Sequence, residues 1–68
     1  MTIRELIDQF EIQGGFCIKQ WNDEYLDYGI LAYGDDFDID KYGYGNDVYD
    51  RRITYMYAAD GILNIEVE

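Results

Sequence analysis

Apolar residues recur along this chain at two periods, and the switch between them marks the elements. Ile3, Leu6, Ile7 and Phe10 fall at i, i+3, i+4 and i+7, the spacing of one helical face. Thr2 and Glu5 frame the start as a capping box, in which the Thr hydroxyl meets an unpaired amide and the Glu returns the bond. The helix is predicted to run about two turns and to stop before Gly14-Gly15. A helix that short is marginal alone, so it needs a sheet to pack on.

Beyond the glycines the period falls to two. Phe16, Ile18 and Gln20 alternate with Cys17, Lys19 and Trp21. Asn22-Asp23-Glu24 then supplies turn chemistry before a second strand over Tyr25 to Tyr33, which makes a hairpin. Gly29 inside that strand hints at a bulge or a close backbone approach. Later, Ile53 to Ala59 and Ile62 to Val67 are strand-like runs joined by Asp60-Gly61, the pair favoured in a type I′ hairpin turn. In that pattern Tyr55 and Tyr57 share a face with Ile53 and are core or sheet-face residues, while Leu63, Ile65 and Val67 line one face of the last strand.

Between the hairpins, Phe37 and Ile39 alternate with Asp36, Asp38 and Asp40 as a short edge strand or extended segment. Residues 42–46 read as a loop and 47–52 as a helical turn. No repeat or detachable linker divides the chain. The expected fold is α+β, a single domain over residues 1–68. It has a short N-terminal helix packed on a four- to five-stranded antiparallel sheet built from two hairpins.

Charge changes the picture. The formal net charge is −10, and nine of the fifteen carboxylates lie between Asp23 and Asp50, where Lys41 is the only basic residue. That stretch therefore carries −8 and the rest of the chain −2. Such an uneven distribution costs self-repulsion and points to a positively charged partner. The same stretch holds Tyr25, Tyr28, Tyr33, Tyr42, Tyr44 and Tyr49, and hydrophobic residues make up 49% of the chain, too many for a disordered polyanion. Five basic residues cannot build a phosphate-binding patch, so direct nucleic-acid binding and attachment to an anionic membrane are not expected. No signal-peptide pattern and no apolar run of about 20 residues occurs, which predicts a soluble, cytoplasmic protein. A single cysteine, Cys17, allows no internal disulfide and reads as a strand residue.

The candidate contact residues follow from that charge. In an extended strand Asp36, Asp38 and Asp40 would project from one face at steps of roughly 6.6–6.8 Å, a spaced carboxylate row able to engage Arg and Lys side chains that grip phosphates. Asp23, Glu24, Asp27, Asp35, Asp47 and Asp50 extend the set beyond what solubility needs. Tyr42 and Tyr44, in a glycine-rich acidic loop, are the preferred contact aromatics. Trp21 is expected in the core, with a second contact anchor as the alternative. Arg51-Arg52 is expected to hold Asp47 and Asp50 in local salt bridges.

Other chemistries fit poorly. Counted from Asp36, acids fall at positions one, three, five and twelve of a calcium loop, but Lys41 stands where that loop needs glycine. Without histidine there is no nucleophile–base pair and no zinc set. A non-enzymatic protein without metal or cofactor is predicted.

The capped helix at Thr2–Glu5, the Tyr/Asp-rich middle from Asp23 to Asp50 and the terminal hairpin Ile53–Val67 together resemble the small acidic proteins that phages and mobile elements turn against host defences. The resemblance is one of size, charge and texture, and is closest to anti-CRISPR proteins, several of which are acidic mimics of DNA. It implies stoichiometric inhibition of a CRISPR effector by blocking its basic DNA site, inside the cytoplasm of a bacterial host. An acidic interaction module of another kind, an antitoxin or an inhibitor of a basic enzyme, is the alternative.

Overall fold

The structure, a computed structural model, describes residues 1–10, 14–35 and 46–68. Helix α1 spans Ile3–Gln9, strand β1 Gly15–Asn22, β2 Asp27–Gly34, helix α2 Asn46–Tyr49, β3 Ile53–Ala59 and β4 Ile62–Val67. The capping box forms as the sequence predicts: the Thr2 hydroxyl accepts from the Glu5 amide at 3.2 Å, and Glu5 Oε1 accepts from the Thr2 amide at 3.2 Å. The C-terminal hairpin also matches, with Asp60 and Gly61 at φ 54° and 76°, the left-handed pair its turn requires.

Among the described residues four strands form one sheet in the order β2-β1-β4-β3, and the edge segment expected at 36–40 lies outside them. Both hairpins are antiparallel, but β1 and β4 pair in parallel, from Gly15 opposite Ile62 to Gln20 opposite Val67. The sheet is therefore mixed, and the expectation of a wholly antiparallel sheet is corrected. Parallel pairing requires a long return connection, which residues 23–61 supply. Segment 35–52 starts where β2 ends and finishes at the opposite end of the sheet, where β3 begins.

Two register slips decide which side chains share a face. The first falls between Ile18 and Lys19, opposite Leu31 rather than at Gly29. The second inserts Thr54 between Ile53 and Tyr55, so Ile53 and Tyr55 do not share a face as simple alternation predicts. Ile53 pairs with buried Val67, and Tyr55 pairs with Glu66 on the other side.

One sheet face is covered. Phe16 and Ile18 of β1, Ala32 of β2, and Ile65 and Val67 of β4 meet Ile3 and Leu6 of α1 and Tyr49 of α2 in a single core. Tyr49, one of the tyrosines of the acidic stretch, turns inward and is 2% exposed. Phe10 stands at the helix C-cap and is exposed, so the apolar stripe of α1 ends one turn earlier than its spacing predicts. The helix start is pinned to the start of β3: the Ile53 amide donates to the Met1 carbonyl at 2.8 Å and the Ile3 amide to the Arg51 carbonyl at 3.3 Å.

Candidate protein-binding surface

Six of the predicted contact residues lie in described parts of the structure, and all six are exposed. Asp23 and Glu24 sit in the β1–β2 turn, and Asp27 opens β2. That turn is organised by Asn22, whose Oδ1 accepts from the amides of Glu24 and Tyr25 at 2.9 and 3.3 Å. Asp47 lies in the first turn of α2 and Asp50 just after it. Because Gln20 and Ile53 both pair with Val67, these five acids gather toward one end of the sheet. Asp35 follows Gly34 at the other end, where Gly15 meets Ile62. Asp36, Asp38, Asp40, Tyr42 and Tyr44 lie outside the described residues. Asp50 is held by Arg4 of α1, Nε to Oδ1 at 3.0 Å, while Arg51 Nη1 donates to the Glu68 carbonyl at 2.8 Å. The expected bridges from Arg51-Arg52 are thus replaced by one from the helix.

The other face of the sheet, open among the described residues, carries a second set of side chains. Across the strands lie Tyr28 and Ile30 on β2, Lys19 and Trp21 on β1, Glu66 on β4, and Tyr55 and Tyr57 on β3. Adjacent strands are spaced by about 4.8 Å, so a long side chain reaches across its neighbour to the next strand. Two such reaches occur. Tyr28 passes over β1 and donates its hydroxyl to Glu66 Oε1 at 2.8 Å. Lys19 passes over β4 and donates to the Tyr57 hydroxyl at 2.5 Å. The Lys19 ammonium rests 4.5 Å from the Tyr28 ring centre and 4.9 Å from that of Tyr57. Trp21 stands edge-on to Tyr28 with centroids 5.1 Å apart, and its indole N–H donates to Asp23 Oδ1 at 2.7 Å. Every strand is tied into this layer.

The electrostatics follow the contacts. The hydrogen bond with Tyr57 holds the Lys19 pKa above its ordinary 10.5, helped by the nearby Glu66 charge and opposed by burial. The bond that Tyr28 donates to Glu66 raises the phenol above its ordinary 10.0, with desolvation adding to the rise. Both groups therefore keep their neutral-pH forms, a charged ammonium and a protonated phenol, under ordinary conditions.

No known protein family, no curated protein and no solved structure matches this chain. Among the described residues no three His, Cys, Asp or Glu side chains converge to hold a metal, and no helix is long and apolar enough to cross a membrane. Trp21, expected in the core, is instead 47% exposed on the open face. Its strand offers an apolar residue to each side, and alternation alone does not say which side the helix covers. The Lys19–Tyr28–Tyr57–Glu66 layer is not legible in the sequence. Its visible trace is the placement of Lys19 and Tyr28 on the polar-alternating faces of two predicted strands, but their partners come from the distant hairpin.

Proposed function

We propose that this protein is a non-enzymatic inhibitor that binds a basic, nucleic-acid-binding protein surface, acting as an anti-CRISPR protein that blocks DNA binding by a CRISPR effector through charge mimicry. The observation that carries this reading is the exposure of all six described carboxylates of a stretch whose formal charge is −8. Asp23 and Glu24 in the β1–β2 turn and Asp27 at the start of β2 lie within five residues of one another, and the turn adds exposed Tyr25 and Leu26. A carboxylate beside an exposed aromatic ring suits a guanidinium, which takes hydrogen bonds at its edge and stacks on its face. Opposite charge would steer association and make it fast and salt-sensitive.

The test is target-DNA binding by guide-loaded CRISPR effectors, measured by gel shift with this protein added before or after the DNA. Inhibition only when it is added first, weakening as salt rises, is the expected outcome. The Asp23→Asn/Glu24→Gln/Asp27→Asn variant should require more protein for the same block. Affinity that stays flat from low to high salt would sink the mimicry.

A further inference from the structure

We infer that the open face of the sheet is a docking surface for arginine side chains of a protein partner, with guanidinium groups stacked on its tyrosines. The inference rests on the reading of a basic partner and assigns the contact to a surface that reading does not name. Its first support is exposure. Tyr33 is 70% exposed, Ile30 62% and Tyr55 60%, on a sheet face that no helix of the described residues covers. Large exposed apolar patches on small proteins mark interaction sites.

The occupant is selected by charge and by a contact already present. A chain of formal charge −10 repels a second copy of itself, nucleic acid and anionic lipid alike. A cation is attracted. The face shows how it receives one, because its own Lys19 lies 4.5 and 4.9 Å from two tyrosine ring centres. Tyr55, whose ring lies 5.6 Å from that of Tyr57 at 45°, and Tyr33 add exposed aromatic surface beside that pair.

The shape of one end sharpens the choice. An open groove of about 600 Å³ is lined by Cys17, Ile30, Tyr33, Gly34, Asp35 and Ile62. It is mostly apolar with a single carboxylate in its wall, which suits the aliphatic stem and charged head of a basic side chain. Arginine is favoured over lysine because its planar, weakly hydrated head stacks on aromatic rings and meets a carboxylate through two N–H groups.

The probes are fluorescein-labelled nona-arginine and nona-lysine peptides, titrated against the intact protein, with isotope-edited NMR mapping the contact. Trp21 is the only tryptophan, so its emission reports on this face. The expected result is roughly tenfold tighter binding of the arginine peptide. It should bring a change in Trp21 emission and amide shifts at Lys19, Tyr33 and Tyr55. The Tyr33→Ser/Tyr55→Ser variant keeps every charge and alters only exposed positions. It should lose most of the arginine preference while holding the lysine peptide as before, and an unchanged melting curve certifies its fold.

Equal affinity for both peptides, untouched by that variant, would overturn the docking face and leave the acidic reading standing. No binding of either peptide at low salt would overturn both. Light scattering that found a dimer burying Tyr33 and Tyr55 would give the face to a second copy. Tighter binding of oligothymidylate than of the arginine peptide would give it to nucleic acid. Either result overturns the proposal.

Discussion

The two faces of the sheet come from the same four strands, yet they are held by different physics. The covered face is apolar and closed: Ile3, Ile18 and Ile65 have no exposed surface, and their contribution is removal of hydrocarbon from water. The open face is aromatic and polar, and its side chains are joined by hydrogen bonds and ring contacts at exposed or half-buried positions. Such contacts contribute little net stability because water competes for each of them. A face that contributes little to folding yet carries so many aromatic residues is more readily understood as a surface for binding. Stability resides in one layer, and recognition is proposed for the other.

Truncations on the two sides give the largest test of that division. Ile65→Ala leaves a cavity under α1 and should cost about 2–5 kcal/mol. A chain of this size has a total stability of roughly 3–10 kcal/mol, so the variant should be close to unfolded in urea titrations. Tyr55→Ala, on the same sheet but facing out, should cost less than about 1 kcal/mol. Equal losses would mean that the open face is buried in the folded protein's working state.

A smaller effect is expected at the tip of the β1–β2 turn. Leu26 has φ 52° and is 74% exposed, so a branched side chain sits in a left-handed conformation without burial in compensation. Leu26→Gly should stabilise the protein by about 1 kcal/mol, read as a higher urea midpoint. If the turn contacts the partner, the same variant should bind more weakly, separating stability from recognition at one position. A destabilised variant would show that Leu26 packs in solution.

Comparable in size, but of opposite sign, is the cap. Thr2→Ala removes the acceptor for the Glu5 amide and should cost about 1 kcal/mol in the same titration. The loss belongs to the covered face, because α1 supplies Ile3 and Leu6 to the core. No change would mean that the Met1–Ile53 and Ile3–Arg51 backbone bonds hold the helix start without it.

The parts of this molecule legible in its sequence are those decided within a few residues. The Thr2–Glu5 capping box and the Asp60-Gly61 turn each carry their own local chemistry, and both form where the pattern puts them. The β1–β4 pairing has no such signature, since its partners are brought together across residues 23–61 and parallel pairing has no tight turn to announce it. Thr54 shows the cost of one residue: an insertion there reverses the side of Ile53 relative to Tyr55, which no alternation count foresees. For the candidate surface, the exposed acids of the β1–β2 turn were readable because turns and carboxylates both favour water. The Lys19–Tyr57 and Tyr28–Glu66 contacts were not, as each joins residues 38 positions apart.

The smallest effect, and the most specific to the open face, is its response to alkali. Lys19 and Tyr28 both have folded-state pKa values raised above their ordinary 10.5 and 10.0, so each binds its proton more tightly folded than unfolded. For a raised group the linked stability is complete below the unfolded value and is lost as pH climbs through the folded one. Stability should therefore hold from neutrality to about pH 10 and fall above it. Alkali acts on an acidic chain in other ways as well, so the decline alone does not identify the layer. The comparison that does is the Lys19→Gln/Tyr28→Phe variant, whose urea midpoint should fall less between about pH 9 and pH 11 than that of the parent. Parallel decline of the two proteins would mean that the crossed contacts are too exposed to couple to folding.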